Sequence, residues 1–158
     1  MGKLSIIGAA GTLGSSCAMT LLMNRYAEEL CLIDVNENAL DNHIMDLENA
    51  FPDQTIYRGT YEDLRGSSIV IITAGVPNRN DETSRNAYLL DNVKIFETIG
   101  SNIAKYAPET VVITASNPVD LLNYYLYKKF DFQRSQLIGY TLNDSYRFAW
   151  AINKALNQ

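Results

Sequence analysis

The sequence has 158 residues, which is enough for one domain with a sizeable buried core. Hydrophobic residues make up 47% and charged residues 20%, as is typical of a globular chain. The formal net charge is −5, so no excess of basic residues favours a nucleic-acid partner or an anionic membrane surface. No apolar run approaches the roughly 20 residues of a membrane-spanning helix. The N-terminus leads straight into a predicted strand, so we expect no signal peptide and a cytoplasmic protein.

The cysteine and histidine content argues against disulfides and metal centres. Cys17 and Cys31 are isolated in the sequence, and we predict that both are buried, reduced thiols, which suits the cytoplasm. His43 is the only histidine and lies in an acidic helical stretch, so we predict a surface position for it. One histidine supplies too few ligands for a usual metal site, and none is predicted.

Strands and helices alternate along the whole chain. In chain order, hydrophobic periodicity and turn residues predict strand Lys3–Ile7, helix Leu13–Arg25, strand Leu30–Val35, helix Ala39–Asn49, strand Thr55–Arg58, a short helical turn at Tyr61–Leu64, strand Ser68–Thr73, loop Val76–Ser84, helix Arg85–Tyr106, strand Val111–Thr114, helix Asn117–Phe130, strand Gln136–Ile138 and helix Asp144–Leu156. Parallel strands joined by helical crossovers imply an α/β fold. We therefore predict one Rossmann domain over residues 1–158, a doubly wound parallel sheet of six strands in the order 3-2-1-4-5-6.

The first strand leads into the first helix through a glycine-rich turn, Gly8-Ala9-Ala10-Gly11-Thr12-Leu13-Gly14. Glycines let a backbone approach phosphate closely, and a helix N-terminus offers unpaired N–H groups. Asp34 lies 20 residues past Gly14, where an acid binds ribose hydroxyls in a dinucleotide-binding unit. Ala9 occupies the usual first glycine position, and Gly8 lies one residue earlier. A merely structural tight turn is the alternative, but the position of Asp34 favours dinucleotide binding.

Two further segments follow predicted strands at the same edge of the sheet. They are Thr73-Ala74-Gly75 and Ser116-Asn117. Ligands of doubly wound sheets bind outside the carboxyl ends of the strands, where the strand order reverses. Both segments are therefore predicted to line the same site as the glycine turn.

Four motifs give the chain a resemblance to the nucleotide-binding half of the lactate and malate dehydrogenase family. They are the glycine turn, Ile33-Asp34-Val35, Ile72-Thr73-Ala74-Gly75-Val76-Pro77 and Ala115-Ser116-Asn117-Pro118-Val119-Asp120. Asn143-Asp144-Ser145-Tyr146-Arg147-Phe148 is a near match to a fifth motif. The resemblance runs from Lys3 to about Ala155, and the Ala9-Ala10 spelling is more like that of malate dehydrogenases.

The resemblance implies NAD as the cofactor. The cofactor-binding residues that it implies are Gly8, Ala9, Ala10, Gly11, Thr12, Leu13, Gly14, Asp34, Thr73, Ala74, Gly75, Asn92, Ala115, Ser116 and Asn117. It also implies that the bond between Asn117 and Pro118 is cis.

The resemblance further implies a small 2-oxo or 2-hydroxy acid as the substrate. Asn117 would hydrogen-bond the substrate and Arg147 would bind its carboxylate, a task that suits a planar guanidinium. Arg85 would polarise the carbonyl as negative charge develops on its oxygen, and Asp144 would orient a catalytic histidine. The alternatives are a surface role for Arg85 and a helix-capping role for Asp144.

The loop Val76–Arg85 is about one residue longer than the family loop, so two residues compete for the substrate-selectivity position. Counting forward from Pro77 gives Asn78, and counting back from Arg85 gives Arg79. An arginine there would suit a dicarboxylate such as malate.

No histidine follows the Asp144–Arg147 motif, so we expect the substrate domain to be absent and the chain to be inactive alone. The leading hypothesis is an oxidoreductase part, the NAD-binding domain of a homo-oligomeric malate/lactate-type dehydrogenase. A stand-alone, non-catalytic NAD-binding module is the alternative. A relative of the NAD-dependent glycosidases is a third hypothesis, which would require a metal site.

Overall fold

A computed structural model describes residues 2–76 and 89–156. The strands are β1 (Lys3–Ile7), β2 (Glu29–Ile33), β3 (Thr55–Arg58), β4 (Ser67–Ile72), β5 (Val111–Thr114) and β6 (Leu137–Gly139). The helices are α1 (Thr12–Met23), α2 (Glu37–Ala50), α3 (Leu89–Tyr106), α4 (Val119–Lys129) and α5 (Leu142–Leu156), with short 3₁₀ turns at Tyr61–Leu64 and Arg134–Gln136.

The six strands form one parallel sheet in the order β3-β2-β1-β4-β5-β6, which confirms the predicted Rossmann topology. The register places the carboxyl ends of the central strands level with one another. Ile7 pairs with Ile33 on one side and Ile72 on the other, and Ile72 pairs with Thr114. The segments that follow these strands therefore lie in one row, which we call the strand-end row (Gly8–Gly11, Asp34–Asn36, Thr73–Val76, Ala115–Pro118 and Tyr140–Thr141).

Two apolar cores cover the two faces of the sheet. Alternate residues of β1 and β2 point to opposite faces, as strand geometry requires. Helices α1 and α2 pack on one face through residues such as Leu22 and Leu40, while α3 and α4 pack on the other through Phe96 and Leu126. Each fully buried side chain of this size contributes about 1.5–3 kcal/mol to folding.

Helix α1 begins in direct contact with the glycine turn. Gly8 has φ +91, and a Cβ on it would lie 2.5 Å from the Ala74 backbone nitrogen. A Cβ on Gly14 would overlap the Gly8 carbonyl oxygen. These two glycines therefore let α1 and the end of β4 close onto the turn.

Most predicted helix and strand bounds are shifted by one or two residues in the structure, and two differences concern single positions near the site or the core. Strand β2 ends at Ile33 rather than Val35, because the Ile33 carbonyl accepts the N–H groups of Gly8 (2.8 Å) and Ala9 (3.1 Å). His43 is half-buried rather than on the surface, and its Nε2 has no hydrogen-bond partner within the described part of the chain. Both cysteines are free thiols, as predicted, although Cys31 is buried and Cys17 only half-buried.

Helix α5 differs from the other helices because it has no buried residue. Its apolar side chains are exposed: Tyr146 65%, Phe148 69%, Trp150 63%, Ile152 42% and Leu156 78%. We call this set the α5 apolar surface. In residues 2–76 and 89–156, no helix combines the length and apolar character needed to cross a membrane.

The contact between α1 and the turn predicts different tolerance at two neighbouring glycines. We expect Gly14→Ala to lower the free energy of unfolding by about 1–3 kcal/mol, because its methyl group has no space. Gly11→Ala is the matched control, since its Cβ would lie 3.4 Å from the Gly8 carbonyl oxygen. Gly11→Ala should lower the free energy of unfolding by less than about 1 kcal/mol, because alanine is a poorer N-cap residue than glycine. Urea unfolding measures both, and equal stability of the two variants would contradict the packing argument.

Candidate functional site

An open cleft of about 460 Å³ lies over the strand-end row beside the glycine turn. This volume lies within the range of small-molecule sites. We call it the β1–β4 cleft, and its lining residues are Ile7, Gly8, Ala10, Gly11, Ile33, Asp34, Val35, Asn36, Tyr61, Thr73, Ala74, Gly75, Ile95 and Ile99. It unites the predicted glycine turn, the acid after β2 and the segment after β4.

Asp34 is held at one end of this cleft by backbone donors. The Ala10 N–H donates to its Oδ2 (2.9 Å), and the Asn36 N–H donates to its Oδ1 (2.9 Å). A carboxylate has about four acceptor sites, so both oxygens can accept further hydrogen bonds. The carboxylate is thus fixed in place and can still accept from ligand hydroxyls.

Tyr61 also lines this cleft, and the sequence analysis did not identify it. Burial and the nearby negative charge of Asp34 raise the pKa of its phenol above the ordinary value. A signal was present in the sequence: Tyr61 lies three residues after the end of β3, and β3 pairs with β2, the strand that precedes Asp34.

The glycine turn fits a phosphate group. The first N–H groups of α1 have no acceptor within the helix, and the first turn contains no acidic side chain to compete with an anion. Gly11 precedes α1 and presents no side chain. Backbone donors and the helix dipole therefore favour an anion at this point of the cleft.

A second cavity of about 370 Å³ lies between the end of β5 and the start of α5. We call it the β5–α5 cavity, and its lining includes Leu13, Ala115, Asn117, Asp144 and Arg147. The structure thus brings together three of the polar residues predicted for substrate or histidine contact, namely Asn117, Asp144 and Arg147, and the Asn117–Pro118 bond is cis, as the resemblance implied. Tyr140 and Asn143 also line it, with the Tyr140 hydroxyl donating to Asn143 Oδ1 (3.0 Å).

Arg147 and Asp144 form an exposed ion pair one helical turn apart. Arg147 Nη1 lies 3.4 Å from Asp144 Oδ1, and the two side chains are 75% and 61% exposed. Exposed pairs of this kind are worth about 0–1 kcal/mol. The guanidinium is therefore accessible to a carboxylate ligand.

Several predicted cofactor residues direct their side chains to the protein's own backbone. The Thr73 hydroxyl donates to the Gly8 carbonyl (3.0 Å), and the buried Ser116 hydroxyl donates to the Ala74 carbonyl (2.6 Å). Asn92 is also buried, and its amide contacts Val76 and Asn117. Ala9 packs in the core next to α1 and α2. These side chains hold the strand-end row in place.

The remaining predicted residues fall into two groups. Asn78, Arg79 and Arg85 lie outside the described residues. His43 is on α2 and lines neither cavity. Among residues 2–76 and 89–156, no group of three or more Cys, His, Asp or Glu side chains is arranged to hold a metal ion.

Comparison with known proteins agrees with this site. Residues 2–139 match the family model described as lactate/malate dehydrogenase, NAD binding domain. An L-lactate dehydrogenase of Acetivibrio thermocellus is 37% identical over 156 residues, 96% of this chain and 49% of that protein. A malate dehydrogenase of Natronomonas pharaonis is 38% identical over 163 residues, 98% of this chain and 52% of that protein. The chain therefore spans about half the length of these relatives.

Solved structures give the same result. A lactate dehydrogenase from Cryptosporidium parvum, complexed with lactic acid and nicotinamide adenine dinucleotide, superimposes with a TM-score of 0.79 at 25% identity, covering 85% of this chain and 43% of that one. A malate dehydrogenase from Picrophilus torridus in its apo form gives 0.77 at 27% identity, covering 85% and 44%. With its glycine turn, Asp34 and the row of strand ends in the expected places, the chain belongs to the lactate/malate dehydrogenase family, of which it contains the NAD-binding domain.

Proposed function

We propose that this chain is the NAD-binding part of a dehydrogenase that interconverts a 2-hydroxy acid and a 2-oxo acid of the malate or lactate type. The observation that carries the proposal is the pair of cavities on one strand-end row. One cavity has Asp34 and the glycine turn, and the other has Asn117, Asp144 and Arg147. Residues 1–158 would form one NAD-binding domain in the cytoplasm, and a further domain would complete the substrate pocket.

The cofactor would lie along the strand-end row with its adenosine in the β1–β4 cleft. Asp34 would accept hydrogen bonds from the adenosine ribose, and the backbone of Gly8–Gly14 would hold the pyrophosphate. Ala115–Asn117 would then contact the nicotinamide end. Thr73 and Ser116 would act through the backbone groups that their hydroxyls bind.

NAD, when bound, accepts or returns the hydride. Arg147 would pair with the substrate carboxylate, since a guanidinium binds a carboxylate in a planar, two-pronged geometry. Arg85 would meet the carbonyl oxygen as negative charge develops on it, and Asn117 would hydrogen-bond the substrate. Asp144 would orient a catalytic imidazole other than that of His43, which lines neither cavity. Asn78 and Arg79 are the two candidates for the residue that selects the substrate.

The first prediction from the proposed function concerns cofactor choice. We expect tighter binding of NAD(H) than of NADP(H), because the Asp34 carboxylate accepts from ribose hydroxyls and repels a 2′-phosphate. Asp34→Ala should weaken NAD binding about tenfold or more, because a hydrogen bond to a charged group is lost. Asp46→Ala, on the exposed side of α2, removes the same charge away from the cleft and should leave NAD affinity unchanged. Titration calorimetry tests both, and equal or tighter binding of NADP by the unmodified protein would refute the assignment.

The second prediction concerns activity. Neither described cavity is lined by an imidazole, since His43 is the only histidine and lies on α2. General acid–base catalysis alone contributes about a hundred- to ten-thousandfold to rate. The pure 158-residue protein should therefore show negligible NADH oxidation with oxaloacetate or pyruvate. Robust turnover, followed by NADH absorbance, would show that this chain contains its own proton donor.

The third prediction concerns association. We propose that the α5 apolar surface contacts a second subunit or a further domain, because large exposed apolar patches mark interaction sites. Light scattering at micromolar concentration should then detect dimers or larger species. Phe148→Glu should reduce both the apparent mass and the binding of a hydrophobic dye, whereas Met45→Glu, an exposed change on α2, should alter neither. A monomer that binds no dye would contradict this assignment.

A further inference from the structure

Asn92 is the buried polar side chain of α3 that faces the strand-end row. It is 3% exposed, although asparagine is usually found at the surface. A buried amide needs hydrogen-bond partners, and those that Asn92 finds are backbone groups from two other segments. Its place is therefore set by the chain around it rather than by solvent.

The amide of Asn92 connects the segments that follow β4 and β5. Its Oδ1 accepts from the Val76 N–H at 2.8 Å, and its Nδ2 donates to the Asn117 carbonyl oxygen at 2.7 Å. The side chain passes close to Gly75, where a Cβ would lie 3.4 Å from Oδ1. One side chain thus joins the Val76 N–H, next to the β1–β4 cleft, to the carbonyl of Asn117, which lines the β5–α5 cavity.

This bridge requires a side chain that both accepts and donates. An amide does so, whereas a carboxylate only accepts and an apolar side chain does neither. Removal of one partner leaves a partly buried backbone group without its protein hydrogen bond, and the bridge between the two segments is lost. The two segments would then move apart or admit water.

We propose that Asn92 is a positioning residue that holds Asn117 in register with Val76, and that it acts on cofactor binding through this bridge rather than by touching the cofactor. The proposal rests on the proposed function. The β1–β4 cleft is held by its own contacts, namely Ala10 with Asp34 and Thr73 with Gly8. Loss of the bridge should therefore affect the nicotinamide end and leave the adenosine end intact.

The test uses two variants of Asn92 and one control in the full 158-residue chain. Asn92→Asp keeps the acceptor for Val76 and removes the donor to Asn117. Asn92→Leu keeps a similar volume and removes both. Asn102→Asp is the control on the same helix, since Asn102 Nδ2 donates to the Thr98 carbonyl one turn earlier in that helix (2.8 Å).

The first measurement is amide hydrogen exchange in the ligand-free protein. The Val76 N–H should stay protected in Asn92→Asp and exchange at least about tenfold faster in Asn92→Leu. Unchanged protection in the leucine variant would show that the bridge does not hold this segment, and would overturn the proposal. Thermal melting confirms that each variant is folded.

The second measurement compares NAD with ADP-ribose by calorimetry. Both Asn92 variants should weaken NAD at least about threefold relative to ADP-ribose, whose affinity should change less than about twofold, and Asn102→Asp should change neither. Equal weakening of both ligands would overturn the proposal. Weaker NAD binding by Asn92→Leu with unchanged Val76 exchange in that variant would also overturn it, because this result indicates direct contact with the cofactor. If the unmodified chain binds neither ligand, the proposed function fails together with the cofactor role of Asn92, while faster Val76 exchange would still support the bridge.

Discussion

The close approach of backbone segments around Gly8 is the constraint on which the site depends. The Gly8 and Ala9 amides donate to the end of β2, and a Cβ on Gly8 or Gly14 would overlap neighbouring backbone atoms. Dispersion and hydrogen bonds stabilise this close packing of backbone segments only if no side chain lies between them. Because three segments meet there, the N-terminus of α1 is directed at the β1–β4 cleft with little freedom to move.

Partly buried side-chain hydrogen bonds then hold the segments that follow the strands. Ser116 binds the Ala74 carbonyl, Asn92 binds Val76 and Asn117, and Asp34 binds Ala10. Beyond the last paired residue of a strand, the neighbouring strand no longer supplies hydrogen-bond partners for the backbone. Backbone groups that are shielded from water there need side-chain donors and acceptors instead. Together these bonds hold the strand-end row in one geometry before a ligand arrives. The site is preorganised mainly by the protein's own polar groups.

Sequence patterns predicted the fold and much of the site because both depend on local features. The β-branched run at β4 and the apolar spacing of α2 are readable residue by residue, and so are Asp34 and the glycine turn. The roles of Thr73 and Ser116 as backbone anchors were not predictable, because they depend on distances between segments about 40 or more residues apart. His43 was misplaced because it lies one position from Ile44 on the buried side of α2, where helical spacing alone does not separate buried from exposed.

The two cavities differ in what holds them together. The β1–β4 cleft is built on central strands with cores on both faces, so its geometry is a property of the sheet. The β5–α5 cavity takes Asp144 and Arg147 from a helix of 15 residues that buries none of its side chains. A helix of that length is only marginally stable in water, and most helical stability in proteins comes from packing an apolar face. The β1–β4 cleft is therefore self-supporting, whereas the position of Arg147 depends on a helix with no buried side chain. Under the proposed function, a partner that covers the α5 apolar surface would also orient Arg147 toward the substrate, and assembly and substrate recognition would be coupled through one helix.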